Sequence, residues 1–218
     1  MVSTNRVGRR KIISLLLAIG VTGNIGSGKT TVCKIFEGLG VDIYYADAMA
    51  KRLYQTDFEL KEGVITLFGH GSYDSEGQLV RQVLSDAIYR DPNLREALND
   101  LVHPRVFADF KVWCDQKRAL GKSYVIKEAA ILFESGADKT VDLVIGVLAP
   151  LSLRLTRVID RDGGNEKTAM LRIQSQIPQE QWVERCDYSI NNDDAHPLEA
   201  QVLMIHESLL VRAKNERR

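Results

Sequence analysis

The sequence predicts an α/β protein built on a three-layer, doubly wound parallel sheet, with an inserted helical subdomain and a lid. Short, almost wholly apolar runs alternate along the chain with segments whose apolar residues recur at helical spacing. A glycine-rich turn joins the first apolar run to the first helical segment. This alternation is typical of a parallel sheet covered on both faces, with a ligand site at the carboxyl ends of its strands.

The first predicted elements are a strand over residues 12–21 and a helix over residues 30–39, whose apolar residues share one face. A short strand over residues 41–45 follows, and a helix over residues 47–54 continues from it. The basic residues before the first strand imitate a secretory signal, but the apolar run leads directly into the glycine turn. Residues 1–10 are therefore expected to be an N-terminal tail.

The stretch from residue 47 to residue 120 contains helical patterns and no strand pattern. A helix is predicted over residues 58–67, a turn between two short extended pieces over 73–79, and helix again from 81 to about 120. Pro92 and Pro104 interrupt the helical pattern between residues 81 and 120, and His103-Pro104 is expected to mark a helix boundary. Because this stretch interrupts the strand–helix alternation, we interpret residues 47–120 as a helical insertion between the second and third strands.

The remainder of the chain returns to the alternating pattern. Strands are predicted over residues 123–127, 143–148 and 188–190, and helices over 154–162, 166–175 and 198–212. The sheet core is accordingly assigned to residues 11–46, 121–153 and 181–218. The arginine-rich stretch 154–180 is interpreted as a lid.

Composition limits the function classes. The 218 residues carry 29 basic and 29 acidic side chains, so no global field draws the protein to nucleic acid or to an anionic membrane. Cys33, Cys114 and Cys186 are odd in number, widely spaced and form no C-x-x-C pair. This pattern favours a reducing compartment, and we expect a cytoplasmic protein with buried or half-buried thiols.

Residues 23–30 (GNIGSGKT) match G-x-x-x-x-G-K-[ST], the phosphate-binding P-loop, and they lie between a predicted strand and a predicted helix. In this context the glycines let backbone N–H groups turn toward phosphate oxygens, and the helix directs its positive end at them. Lys29 can then bridge the β- and γ-phosphates while the Thr30 hydroxyl binds Mg²⁺. The competing interpretation is an ordinary glycine turn.

Two acidic residues are candidates for the chemistry. Asp47 follows the second strand, at the same sheet edge as the P-loop, where it could accept the proton of an attacking hydroxyl or hold Mg²⁺ through water. A helix N-cap would satisfy this position equally. Glu128 follows the strand that ends at Lys127 and could act as a second acid at a strand end, or be a solvated loop carboxylate.

Three arginines could bind phosphate oxygens. Arg154, Arg157 and Arg161 are spaced to share one helix face. The alternative is a solvated face whose arginines pair with Asp160 and Asp162. The four histidines have no metal-ligand spacing.

Residues 22–31 (TGNIGSGKTT) fit the pattern T-G-G-I-G-S-G-K-S-T, and residues 39–47 (LGVDIYYAD) fit L-G-x-x-v-i-D-A-D. Further motifs follow along the chain: LVHP at 101–104, ILFE at 131–134, RVIDRD at 157–162, Arg172-Ile173 with Gln176, and DYSINN at 187–192. In this ordered set of motifs, from about Leu17 to about Gln201, the chain resembles the dephospho-coenzyme A kinases, a family of the P-loop kinase type.

The resemblance implies transfer of the ATP γ-phosphate to the 3′-hydroxyl of dephospho-CoA, with Mg²⁺. We expect a monomer or weak oligomer. Asp47 matches the base or hydroxyl-orienting residue, and Lys29, Arg157 and Arg161 match groups near the transferred phosphate. Asp47, Arg161 and His103 are expected at the acceptor, the last on the boundary of a CoA-binding insertion. Thr30 and Glu128 are the predicted metal ligands. The predicted nucleotide-binding residues are Gly23, Asn24, Ile25, Gly26, Ser27, Gly28, Lys29, Thr30, Thr31 and Asn192.

Three positions depart from the family pattern. Asn24 replaces a glycine, Tyr45 replaces the first acid of D-A-D, and Glu128-Ala-Ala replaces D-V-P. Two other functions stay open on the residues alone: a P-loop kinase for another small acceptor, such as a nucleoside monophosphate, and a nucleotide-dependent switch. The absence of an N-K-x-D motif and the long helical insertion count against a switch.

Overall fold

The structure is a computed structural model that describes residues 16–215 of the chain. Its strands and longer helices follow one another as β1 Leu17–Thr22, α1 Lys29–Gly38, β2 Ile43–Tyr45, α2 Ala46–Thr56, α3 Phe58–Phe68, α4 Arg81–Arg90, α5 Asn93–Ala119, β3 Tyr124–Glu128, β4 Leu143–Leu148, α6 Leu151–Asp162, α7 Glu166–Gln174, α8 Gln179–Trp182, β5 Tyr188–Asn191 and α9 Leu198–Asn215. Short 3₁₀ turns lie at His70–Ser72, Ala137–Thr140 and Val183–Arg185.

The five strands form a single parallel sheet in the order β2-β3-β1-β4-β5, which confirms the predicted doubly wound α/β architecture. The register places Glu128 at the end of β3 opposite both Val21 of β1 and Tyr45 of β2. Since the P-loop follows β1 and Asp47 follows β2, the carboxyl ends of these three strands bring the predicted site residues to one edge of the sheet.

Helices cover both faces of the sheet, so the molecule has three layers. On one face, alternate strand residues such as Ile19 and Ile126 pack with Phe36 of α1 and Leu209 of α9. The intervening residues, such as Val125, face a second core formed with α2, α3, α4 and α5. Burying each of these large side chains fully stabilises the fold by about 1.5–3 kcal/mol. The two-faced burial explains why the strands are apolar runs rather than alternating ones.

Helices α2 to α5 lie between β2 and β3, and the longest of them corrects one prediction. Pro104 lies inside the 27-residue helix α5, so His103-Pro104 does not mark a helix boundary. A proline in a helix interior removes one backbone hydrogen bond and is unfavourable in isolation. Here Val102 and Val106 are buried on either side of Pro104, and their packing holds the two halves of α5 together. Tertiary packing therefore overrides the local signal.

Other differences concern boundaries. The described part of the first strand begins at Leu17, while residues 12–15 of the predicted strand and the predicted tail 1–10 lie outside the described residues. Helix α6 begins at Leu151, three residues before its predicted start. The short helix α8 and the 3₁₀ turns had no counterpart in the prediction. From residue 16 to residue 215, every helix is too short or too polar to cross a bilayer.

Candidate active site

The P-loop connects β1 to α1, and two of its glycines are required by the backbone. Gly26 and Gly28 have φ angles of 80° and 93°, which side chains other than glycine rarely adopt. A Cβ atom on Gly26 would also lie 2.5 Å from the carbonyl oxygen of Arg154. The loop then enters α1 at Lys29, and the N–H groups of the first helical turn have no partner within the helix. The loop and helix end therefore form an anion-binding concavity.

Lys29 folds back over this loop. Its Nζ donates a hydrogen bond to the carbonyl oxygen of Gly23 at 2.8 Å. Burial lowers the pKa of Lys29, while the negative charges of Glu128 and Asp47 oppose that shift. The ammonium group is therefore enclosed beside two carboxylates, at the position where phosphate charge would be neutralised.

Side chains from distant segments hold the loop in place. Gln176 Oε1 accepts a hydrogen bond from the Ile25 N–H at 2.6 Å, and Asn192 Nδ2 donates to the Ser27 carbonyl at 2.7 Å. Asn24, which replaces a family glycine, donates to the Ile177 carbonyl at 2.9 Å and accepts from Trp182 Nε1 at 3.2 Å. This departure therefore ties the loop to the segment after α7. The predicted nucleotide contact of Asn192 stays a prediction.

The two carboxylates occupy the ends of neighbouring strands. Glu128 is the last residue of β3, so the loop-carboxylate interpretation is wrong for it. Burial raises the pKa of Glu128, the Asp47 charge raises it further, and Lys29 opposes both. Asp47 is exposed in the first turn of α2, where the N-cap residue is Tyr45, so the N-cap interpretation of Asp47 is wrong. The Asp47 carboxylate is therefore accessible for binding a ligand.

One cavity of about 760 Å³ joins most of the predicted site residues. Its wall includes predicted phosphate, metal, acceptor and lid residues together, namely Ile25, Gly26, Gly28, Lys29, Thr30, Thr31, Asp47, Glu128, Arg157 and Arg161. A volume of this size accommodates a nucleotide with part of a second ligand. Six predicted residues lie outside the wall: Gly23, Asn24 and Ser27 within the loop, Asn192 behind it, His103 in an adjoining cavity, and Arg154 of α6.

Helix α6 presents two of its arginines to this cavity. Arg157 donates to the Asn192 carbonyl at 3.1 Å and pairs with Asp194 at 2.9 Å. Arg161 makes two hydrogen bonds to Asp162, at 2.7 and 3.0 Å, and this pairing raises its pKa. The predicted ion pair with Asp162 is therefore present, while Arg161 also lines the cavity and its contact with phosphate stays a prediction.

Arg154 corrects the prediction of a shared arginine face. It is 9% exposed, lies outside the cavity wall and packs its backbone against Gly26. Arg172, the arginine of the R-I motif, also lines the cavity. Like Arg161, it forms an ion pair with Asp162. The arginines that line the cavity are therefore Arg157, Arg161 and Arg172.

The sequence interpretation missed two lysines. Lys51 lines the same cavity one helical turn after Asp47, and their i, i+4 spacing was the available signal. Lys127 is 1% exposed in an adjoining cavity of about 180 Å³ that also contains His103 and shares Asp47 with the main one. Burial lowers the pKa of Lys127 to about 8. No pattern in the strand sequence distinguishes this lysine from a solvated one.

The oxygen donors of the cavity suit Mg²⁺. The described residues contain no cluster of three or more histidines, cysteines or acids that would form a protein-only metal cage. They do place the Thr30 hydroxyl and the Glu128 and Asp47 carboxylates on one cavity wall. Mg²⁺ is usually bound by one or two carboxylates together with substrate phosphates, and this donor set fits that pattern.

Comparison with known proteins assigns the family. Residues 17–197 match the family model described as CoaE: Dephospho-CoA kinase. A dephospho-CoA kinase of Chlorobaculum tepidum is 41% identical over 201 residues, covering 90% of this chain and 96% of the relative. The solved dephospho-CoA kinase of Campylobacter jejuni has a TM-score of 0.66 at 25% identity, covering 88% and 96% of the two chains. The solved TT1252 protein of Thermus thermophilus has a TM-score of 0.73 at 29% identity, covering 90% and 97%. The chain therefore belongs to the dephospho-CoA kinase family.

Proposed function

We propose that the protein transfers the γ-phosphate of ATP to the 3′-hydroxyl of dephospho-CoA, which yields coenzyme A and ADP. The observation that carries this proposal is the single cavity that joins the P-loop, the Asp47 and Glu128 carboxylates and the α6 arginines. Phosphoryl transfer needs a held phosphate, an oriented hydroxyl and cations around the transferring group, and this cavity contains a candidate for each.

Each side chain has a defined task in this reaction. The P-loop N–H groups and Lys29 hold the phosphates, and Asp47 accepts or orients the proton of the attacking hydroxyl. Arg157 and Arg161 neutralise charge that develops on the transferring group. Thr30 and Glu128 would hold Mg²⁺, which screens the phosphate charge when it is bound. Helices α2 to α5 beside the cavity would shelter a bound acceptor from water, which would limit wasteful ATP hydrolysis.

The first experiment measures ADP release in the presence of dephospho-CoA, AMP, CMP or no acceptor, each with and without Mg²⁺. Stimulation by dephospho-CoA alone, with coenzyme A as the product, is the expected result. Stimulation by AMP or CMP instead would assign the fold to a different acceptor. Slow release that is independent of any acceptor would favour a nucleotide-dependent switch.

We also propose that the enzyme works in the cytoplasm as a monomer or weak oligomer without a nucleic acid partner. The balanced charge of 29 basic and 29 acidic residues supports the absence of nucleic acid binding. The cysteine pattern of the sequence supports a reducing compartment. Sedimentation velocity of the purified protein, with and without added RNA, tests the assembly state; a stable large oligomer or a protein–RNA complex would contradict the proposal.

Replacing Arg161 by alanine should lower kcat about 10²-fold while the protein stays folded, because a cation aimed at the transferring phosphate is lost. The side chain is 58% exposed, so its ion pair with Asp162 contributes little to stability. Steady-state kinetics and urea unfolding measure the two effects. Arg185→Ala is the matched control, since Arg185 is an exposed arginine paired with Asp138 outside this cavity. Equal losses of stability in both variants with unchanged kcat would favour a purely surface role for Arg161.

Replacing Glu128 by glutamine should lower kcat/KM about 10- to 100-fold yet leave the protein at least as stable near neutral pH. Burial raises the pKa of Glu128, so the charged carboxylate opposes folding at neutral pH. That cost disappears as the pH falls below the ordinary pKa of glutamate, where the carboxyl is protonated in both the folded and the unfolded state. The stability advantage of the glutamine variant should therefore be present near pH 7 and vanish in acid.

Urea unfolding across this pH range in EDTA, which removes any metal contribution, measures the difference. Glu134→Gln is the control, because Glu134 is an exposed glutamate of the same segment. A Glu128→Gln variant that is less stable than the wild type at neutral pH would contradict the assigned burial cost.

A further inference from the structure

A second, smaller cavity opens beside Asp47, and no P-loop residue lines it. Its volume is about 180 Å³, and it lies between α2, α5 and the segment that follows β3. Asp47 and Ala130 line both this cavity and the larger one, so the two spaces meet at Asp47. A ligand that places a hydroxyl group at Asp47 can therefore extend into the smaller cavity.

The walls of this cavity suit a flat ring. His103 and Phe107 lie one turn apart on α5, with nearly parallel rings at an interplanar angle of 19° and a centroid separation of 6.2 Å. The other walls are mainly small or aliphatic, including Ala50, Val102 and Ala130. A planar heteroaromatic group gains contact with such walls over its faces, while a flexible polar chain does not.

Lys127 adds a polar contact to this apolar space. Its side chain is almost completely buried, its Nζ donates to Thr140 Oγ1 at 3.1 Å, and it lies 4.8 and 4.5 Å from the ring centroids of Phe107 and Phe110. These contacts of the Lys127 ammonium group include no carboxylate. A lysine has three N–H donors, so Lys127 keeps donor capacity for a ligand atom.

We propose that the cavity beside Asp47 binds the nucleobase of the acceptor, with Lys127 donating to a ring nitrogen and the His103–Phe107 pair lining the base. This inference rests on the proposed function, because dephospho-CoA carries adenine on the same ribose whose 3′-hydroxyl would meet Asp47. The base and the reacting hydroxyl would then enter adjoining spaces. The volume of about 180 Å³ is enough for one ring system.

The test compares two acceptors in wild-type enzyme and in two variants, Lys127→Met and His103→Leu. One acceptor is dephospho-CoA, and the other is its abasic analogue, in which the ribose carries no base. Lys127→Met replaces a buried polar group and His103→Leu a half-buried one, each by an apolar side chain of similar size in mainly apolar surroundings, so we expect both variants to fold. Circular dichroism and urea unfolding confirm that. Lys139→Met, at an exposed lysine next to Thr140, is the matched control.

We expect each variant to raise the KM for dephospho-CoA by up to about 10-fold and to leave the KM for ATP unchanged. This is the scale of losing one polar contact in Lys127→Met, or one ring contact in His103→Leu. The KM for the abasic analogue should be the same in wild type and variants, because that ligand has no base to lose. Unchanged constants for dephospho-CoA, or equal increases for both acceptors, would overturn the proposal; the second result would place another part of the acceptor in this cavity. If wild-type enzyme phosphorylates neither acceptor, the proposed function fails, which is a separate outcome.

Discussion

Replacing Lys29 by alanine should lower kcat/KM about 10³-fold or more. The ammonium group is held over the P-loop by its hydrogen bond to the Gly23 carbonyl, enclosed beside Glu128 and Asp47. A fixed positive charge in this position stabilises charge that develops on the β–γ bridge and γ-phosphate oxygens in the transition state more than it stabilises bound ATP. The loss should therefore fall mainly on kcat, measured by initial rates at saturating ATP and dephospho-CoA.

The same substitution should not unfold the protein. Burial lowers the pKa of Lys29, so the charged amine is a cost to the folded state near neutral pH rather than a source of stability. The free energy of unfolding should accordingly fall by no more than about 1 kcal/mol. Lys34→Ala, an exposed lysine on the same helix, controls for the general effect of the substitution. Unchanged kcat/KM in Lys29→Ala would mean that residues 23–30 are an ordinary glycine turn.

The sheet could be predicted because its determinants are local in the sequence. Strands buried on both faces must be apolar throughout, and α1 must begin directly after the glycine turn. Each element can therefore be recognised from a short stretch of consecutive residues. The position of Glu128 also follows from topology. In a parallel sheet the residue that ends β3 lies next to the ends of β1 and β2, and the register confirms this placement.

What could not be predicted depends on contacts between distant segments. Lys127 is the last residue of a predicted strand, and nothing in the sequence distinguishes it from a solvent-exposed lysine. In the structure, its ammonium group lies over the rings of Phe107 and Phe110 of α5. Pro104 carries a strong local helix-breaking signal, which the burial of Val102 and Val106 outweighs. For Arg161 the sequence offered an ion pair or a phosphate ligand as alternatives, and only its position beside the cavity shows that both are compatible.

Replacing Asp47 by asparagine should lower kcat about 10²- to 10⁴-fold while the KM for ATP changes by no more than a few-fold, the usual effect of losing a general base. Asp47 is exposed in the first turn of α2, so the neutral variant loses only its favourable interaction with the helix dipole, about 0.3–1 kcal/mol. Stopped-time assays of coenzyme A formation measure the rate. Asp86→Asn, at an exposed aspartate on α4, is the control for the substitution itself.

Comparison of Asp47→Asn with Asp47→Ala distinguishes the two tasks that this carboxylate could perform. An asparagine oxygen can still accept a hydrogen bond from the acceptor hydroxyl, but it cannot take its proton at neutral pH. If Asp47 is the base, both variants should be impaired to a similar degree, because neither can accept the proton. If Asp47 mainly orients the hydroxyl, Asp47→Asn should retain at least about 10-fold more activity than Asp47→Ala, as expected for one retained hydrogen bond. Activity within a few-fold of wild type in both variants would remove Asp47 from the mechanism and leave it as a helix-terminal acid.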